Sequence, residues 1–286
     1  MWPEGKEDAM PVITISRQHG TRASVVVSKL AEKTGLKVAY RRDVEERLRG
    51  IVGTFLARKF TTEAEPSFFD TIFYNMPLWR GLLCESVTSI AREGNVIIYG
   101  RGASVILRDV PGVIHVLIVG DREKRIRWIS EKHGISHVEA EEVIDSIERK
   151  REGFYSHHFG ERWPDPGKYD ITLNPHNLGI ERCADILVSL SKIESISDDF
   201  KRKGKREIER RFIRVSSENR IVLATGLDHN LFDVEVEDEG TVDITFYDVP
   251  ADVREKAVEA VRAFHKNLKV LQTTAPLSKA KKEMMT

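Results

Sequence analysis

Cysteine, net charge and long apolar runs are all scarce in this chain, and each scarcity narrows what it does. Cys84 and Cys183 are the only cysteines and form no C-x-x-C pair, which points to two reduced, buried thiols rather than a disulfide framework or a thiolate metal site. Lys+Arg and Asp+Glu number 45 each, so no overall field draws the protein to nucleic acid, and any polyanion site has to be local. No apolar run nears the ~18 residues of a membrane helix and no signal peptide is recognisable, so no transmembrane segment and a cytoplasmic location are expected. No internal repeat is present. A standard phosphate loop, G-x-x-x-x-G-K-[ST], is missing too.

What is there suits a globular protein: 286 residues, 41% of them hydrophobic, fit one domain of about 200 residues and a small one, at roughly 100–200 residues per domain. Short β-branched or apolar runs, VITIS (12–16), LKVAY (36–40), NVIIYG (95–100), GVIHVLIVG (112–120) and YDITLN (169–174), read as strands buried in a parallel sheet. Helical patterns alternate with them at 23–33, ending at Gly35, then at 42–59, 77–93, 123–133, about 136–152 and 178–190. That alternation predicts an α/β fold with a five-stranded parallel sheet and helices on both faces. Residues 1–10 read as a loose leader, and 191–211, with five basic residues in 201–206, as a linker or a solvated helix start. Residues 206–272 then read helix, strand, strand, helix, strand, with a hairpin turn at Asp238-Glu239-Gly240. The expected limits are 11–192, a basic linker over 193–205, a small α+β domain over 206–272, and a disordered tail over 273–286.

In an open parallel sheet, ligands bind beyond the carboxyl ends of the strands. Ser16–Ser24 follow the first strand, Gly100-Arg101-Gly102 the third, and Asn174 the fifth. With Ser24 in the hydroxyl position, residues 17–24 give R-Q-H-G-T-R-A-S: Arg17 and Arg22 replace the two glycines and Ala23 replaces the lysine. The place, after a buried strand and at a helix N-terminus, still suits an anion, and Arg17, Arg22 and His19 add positive charge where the lysine is missing. The competing reading is a strand-to-helix turn with solvated arginines. His157-His158 lack partners at metal-ligand spacing.

Four blocks, NVIIYGRGASVIL (95–107), HVLIVGDREKRIRWI (115–129), IERKREGFYSHHFGERWPDPGKYDITLN (147–174) and NLGIERCADIL (177–187), together resemble the cytidylate kinase-like family of P-loop nucleoside monophosphate kinases. Ser16, Arg17 and Gly20 stand in register with the family's S-R-x-x-G-S-G-G, and Gly100-Arg101-Gly102 matches its G-R-G. Glu148 to Arg151 stand for the D-x-x-R of the lid, and Trp163, Asp165, Pro166, Tyr169, Asp170 and Asn174 match a W-x-D-P-x-x-Y-D-x-x-x-N stretch. The resemblance implies ATP- and Mg²⁺-dependent phosphoryl transfer to a nucleoside monophosphate, CMP or dCMP first. Arg101, between Gly100 and Gly102, would clamp the acceptor phosphate, and Arg149 and Arg151 would act from the lid. Ser16, Arg17, Gly20, Thr21, Arg22, Ser24 and Asn174 would hold the donor, with Ser24 at the metal. Arg125 and Arg127 resemble lid-proximal arginines, with salt bridges to nearby Glu as the equal alternative. Residues 40–95 would form the monophosphate flap, including the aromatic stretch 66–79.

The departures fall on the donor side: Thr21-Arg22-Ala23 replaces S-G-G, and Arg22 and Ala23 bring Cβ atoms where bare backbone is expected. A catalytically degenerate nucleotide sensor signalling through its C-terminal module is therefore the alternative. That module, residues 206–272, resembles a BON domain, which implies a ligand or a partner protein there.

Overall fold

The computed structural model describes residues 11–56, 76–193, 198–237 and 240–276. The leader 1–10, positions 66–75 of the aromatic stretch, Asp238-Glu239 of the hairpin turn and the tail from 277 lie outside the described residues. The chain divides into two compact units, one drawn from Met1–Val44 and Ile90–Lys205, the other from Glu45–Ser89 and Arg206–Thr286.

The first unit is built on five parallel strands: β1 (Val12–Arg17), β2 (Lys37–Ala39), β3 (Val96–Tyr99), β4 (Val113–Ile118) and β5 (Ile171–Leu173), in the order β2-β3-β1-β4-β5. As the alternation predicts, helices flank this sheet on both faces. β1 is central, and its residues Val12 to Ser16 are all buried, which is why its sequence is a continuous β-branched run rather than an alternating one. It pairs with β3 from Val12↔Val96 and with β4 from Val12↔Val113 to Arg17↔Ile118. α1 (Ala23–Thr34) lays Val26, Val27 and Leu30 onto the sheet beside Cys183 and Leu187 of α8 (Ile180–Ile193). Each such side chain contributes about 1.5–3 kcal/mol through burial. Gly35 stops α1 in the left-handed conformation at φ 73°, its N–H donating to Ala31 O at 2.8 Å.

Between these lie α2 (Arg41–Leu56), α3 (Met76–Ala91), the short α4 (Ala103–Ile106), α5 (Arg122–His133), α6 (His137–Phe159) and the one-turn α7 (Pro175–Leu178). The unit limits fall inside α2, inside α3 and inside the long helix over Asp198–Thr225. α6 runs 23 residues, beyond the end expected near residue 152. A capping box between Ser136 and Glu139 starts it, and an aromatic last turn carries it on: Tyr155 stacks on Trp163 at 6.0 Å, and Phe154 meets Phe159 edge-on at 5.8 Å.

The second unit holds a three-stranded mixed sheet, β6 (Phe232–Val236), β7 (Thr241–Tyr247) and β8 (Lys269–Ala275), in the order β6-β7-β8. β6 and β7 are antiparallel from Phe232↔Phe246 to Val236↔Val242, and α10 (Ala251–Phe264) returns the chain so that β8 runs parallel to β7. One face of the hairpin, Phe232, Val234, Ile244 and Phe246, packs against Phe212, Ile213 and Ile221 of α9 (Asp198–Thr225) and Val258 and Val261 of α10. α9 is helical from Asp198 and passes unbroken through Gly204, so the basic run 201–206 is a helix start rather than a linker.

The same unit contains most of α3, whose Trp79, Leu82 and Leu83 are buried, and it encloses a charge network. The Glu85 side chain is 2% exposed; Asn219 Nδ2 donates to its Oε2 at 2.7 Å and Arg220 Nη2 to its Oε1 at 2.8 Å. Residues 45–89 are therefore grouped differently here from the sequence-based limits, which assigned them to the kinase-like domain.

Candidate functional site

β1 has β3 on one side and β4 on the other; the chain leaves β1 toward β2 and leaves β4 toward β5. Strands whose connections depart in opposite directions open a crevice at their carboxyl ends, where a ligand binds. The segment that crosses this end, Gln18 to Arg22, is pinned by its own groups. Gln18 N–H donates to Ile118 O at 2.9 Å, Gly120 N–H donates to Gln18 Oε1 at 3.1 Å, and the Thr21 hydroxyl donates to Gln18 O at 3.0 Å. Gly20 is required at φ 80°, because a Cβ there would lie 3.0 Å from Arg125 Cβ and from its carbonyl oxygen.

Two strained arginines mark the place. Five non-glycine residues among those described have positive φ; three are Asn or Asp, which tolerate it, and the other two are Arg22 (φ 60°) and Arg101 (φ 56°). A left-handed Cβ-bearing residue costs about 1–2 kcal/mol, and such strain concentrates at ligand sites. Arg22 occupies the N-cap of α1 and makes no side-chain cap bond; its carbonyl accepts from Val25 N–H at 2.9 Å, so the Ala23 and Ser24 N–H groups before it get no acceptor from the cap side chain. Its guanidinium stacks on Trp128 at 4.6 Å, with Nε buried and lacking a hydrogen-bond partner among the described residues. Ser24, on the same first turn, is exposed.

The other predicted residues divide into structural and outward-facing groups. Ser16 is buried and its Oγ accepts from Trp163 Nε1 at 3.0 Å, which ties the W-x-D-P segment to the sheet. Burial pushes the neighbouring Tyr169 hydroxyl up to about 12, with Ser16 and Ser104 within hydrogen-bonding reach of it. Asn174 accepts from His176 N–H at 3.1 Å and caps α7. Arg17 lays its guanidinium over Tyr99 at 4.1 Å and above Gly100, where a Cβ would collide with Nη1. Gly102 is needed for a similar reason: a Cβ there would come within 2.6 Å of the Phe159 ring. Arg101 thus stands between two glycines whose bare backbones admit Arg17 and the last turn of α6.

Arg151 meets the loop directly, Nη1 donating to Arg17 O at 2.6 Å, whereas Arg149 is exposed and lines a cavity of about 180 Å³ with Asp145, Glu148, Glu152, Trp163 and Pro164. Burial first and the nearby Arg17 second push Arg151 down to about 10, so its charge is held under strain. Burial, with Arg151 and Arg17 adding to it, pushes His19 down to about 4 and keeps it neutral.

In sequence, Arg125 suits either a lid-proximal site or a salt bridge to a nearby Glu. Its side chain is 4% exposed; Nε donates to Gly120 O at 3.0 Å, and Nη1 donates to His19 O at 3.1 Å and pairs with Glu148 Oε1 at 2.7 Å. It holds the crevice together from below, and its partner is a glutamate 23 positions away rather than a neighbour on its own helix. Arg127 is exposed. His176 was passed over: both ring nitrogens are buried without a hydrogen-bond partner among the described residues, and burial, then Lys124 and Arg22, lower its pKa. A histidine three residues past a strand end gives no signal in sequence that separates it from a surface residue.

Among the described residues no helix is long and apolar enough to cross a membrane. No curated protein matches the chain. Two similar solved structures are an uncharacterized protein from Eubacterium ventriosum ATCC 27560 (19% identity, 64% of this chain and 98% of that one, TM-score 0.49) and shikimate kinase from Bacteroides thetaiotaomicron (17%, 64% and 99%, TM-score 0.40). The model of the Cytidylate kinase-like family matches residues 12–177, more than half of the chain and every strand of the first sheet. This chain belongs to the cytidylate kinase-like family.

Proposed function

We propose that the protein is a nucleoside monophosphate kinase, transferring the γ-phosphoryl group of ATP to CMP or dCMP. The observation that carries the reading is the pair of left-handed arginines, Arg22 and Arg101, at the carboxyl end of the β3-β1-β4 crevice, together with a first turn of α1 left without a side-chain cap. Phosphoryl transfer asks a protein for positioning and charge compensation more than for covalent chemistry. Arg101 would take the acceptor phosphate, where a planar guanidinium binds two oxygens at once. Gly20, Arg22, Ser24 and the first-turn amides would face the donor phosphates, with Arg17 and Arg151 at the boundary between the two. Arg149 on α6 would complete the lid, which excludes water as it closes. Ser16, Thr21 and Asn174 would serve this site by holding its backbone, since their side chains are bonded within the protein.

For Mg²⁺ the chain offers Ser24, and among the described residues no group of three His, Cys, Asp or Glu side chains is placed to hold a metal. That donor set fits an ion carried in on the nucleotide, ligated by phosphate and water, rather than a resident one. When bound, it would offset phosphate charge. A cytoplasmic location is consistent with the two unpaired cysteines.

Ala23 in the lysine position favours a second reading, a nucleotide sensor without turnover, acting through a ligand or partner of the second unit. The BON resemblance of that unit rests on its order of helix, strand, strand, helix, strand. Incubation with ATP·Mg²⁺ and CMP, dCMP, UMP or AMP, with diphosphate measured and Arg101→Ala as control, separates the two. Turnover lost in the variant supports the kinase. Saturable ATP binding with no diphosphate from any acceptor supports the sensor.

A further inference from the structure

A carboxylate lies among the arginines of the crevice. Glu148 of α6 accepts the His19 N–H at 3.2 Å through Oε1, and the same oxygen pairs with Arg125 Nη1 at 2.7 Å. Three residues along the helix, Arg151 donates to Arg17 O at 2.6 Å. Positions i and i+3 share a helix face, so α6 is fastened to the 17–19 segment twice on one side. The two latches are of opposite kinds. Arg151 takes a carbonyl, which no anion wants. Glu148 takes a loop N–H and a buried guanidinium, the pair of donors that an anionic phosphate oxygen would seek.

We infer that Glu148 is an internal occupant of the phosphate seat, a carboxylate standing where a phosphate oxygen of the ligand would sit, and that it must leave before a polyphosphate binds. The inference rests on the phosphate-binding reading of the crevice and adds a competitor to it. Carboxylate and phosphate carry the same sign and need the same donors, so both cannot hold His19 N–H and Arg125 together. The released side chain has somewhere to go: Glu148 also borders the cavity of about 180 Å³ that Arg149 lines. Closure of α6 and occupation of the seat by ligand are thereby opposed through one side chain. If Glu148 occupies the seat nine-tenths of the time, apparent affinity for a polyphosphate is weakened about 10-fold.

The test is calorimetric titration of the full chain with inorganic pyrophosphate and with ATP, for the parent, Glu148→Gln, which removes the charge, and Glu148→Asp, which keeps the charge but shortens the reach by one methylene. Both variants are expected to bind pyrophosphate about 10-fold tighter than the parent. Equal or weaker binding by a folded variant would overturn the inference, because Glu148 would then be orienting Arg125 rather than competing; ATP binding by the parent would leave the nucleotide reading standing. Binding of neither ligand by any of the three proteins would overturn both. Thermal melts confirm folding, and Glu148→Asp decides alone if the glutamine variant does not fold.

Discussion

Replacing Arg220 with alanine should cost the second unit about 3–5 kcal/mol, the price of leaving one member of a buried ion pair alone. Glu85 enters that unit from α3 with its side chain 2% exposed, against 16% for Arg220. The guanidinium makes two of the bonds to the carboxylate, at 2.8 Å and 3.3 Å, and also lies over the Phe264 ring at 3.9 Å. Without it, Glu85 keeps the Asn219 amide at 2.7 Å and remains shut away from water. Loss of the ring contact adds about 0.5–2 kcal/mol. Against a typical total of about 5–15 kcal/mol, this removes a large share of stability. Urea unfolding followed by circular dichroism reads the loss as a lower midpoint. The double variant Glu85→Leu with Arg220→Met should recover part of it, since an apolar pair of similar volume needs no charge compensation, the rest being lost because the buried Asn219 amide is left without its carboxylate acceptor. An Arg220→Ala protein within about 1 kcal/mol of the parent, or a double variant as damaged as the single one, would refute the argument.

Three further outcomes are expected. Arg101→Ala should lower kcat/KM for the monophosphate by about 10²-fold or more, and Arg101→Lys should restore little of it, because a point charge cannot grip two oxygens; an Arg101→Ala enzyme with unchanged kinetics would remove the clamp. A chain cut after Lys205 lacks Asn219 and Arg220, the partners of buried Glu85, and the apolar core against which Leu78 packs, so it should aggregate; a monodisperse fragment by gel filtration would show that residues 45–89 do not need residues 206–276. His19, pushed down to about 4 by burial and by Arg151 and Arg17, binds its proton less readily folded than unfolded, so stability is full above its ordinary value near 6.5 and falls as pH drops toward 4. Solvent screening limits the effect to on the order of 1 kcal/mol, and His19→Gln should flatten that limb of the melting-temperature profile.

The first sheet was legible because buried parallel strands must be continuous apolar runs, and residues 12–16, 95–100 and 112–120 have no other reading at that length. Gly35 and Gly240 marked their turns because each takes a positive φ, 73° and 81°. The site could be located but not assembled. Glu148 and His19 are 129 residues apart and Glu85 and Asn219 134 apart, and no local pattern pairs a glutamate with an amide at such distances. The same reason hid the grouping of α3: its apolar face shows that it is buried, not against which partner. Ser16 and Thr21 were assigned to a ligand by their place in the loop, and the structure puts their hydroxyls on Trp163 and Gln18 instead. A hydroxyl's partner depends on tertiary neighbours that the loop does not encode.

The interleaving of the two units in sequence also bears on how the chain is made. A ribosome releases residues 45–89 long before residues 206–276, and the interval from Ser89 to Arg206 takes on the order of 10 s at ~5–20 residues per second. Through that interval Leu78 and Glu85 have been synthesised while the core that Leu78 packs against, and Asn219 and Arg220, have not, so Glu85 lacks its partners. The nascent chain carries an apolar helix with a stranded charge, a substrate for holding chaperones, and slower translation between the two halves prolongs that exposure rather than relieving it.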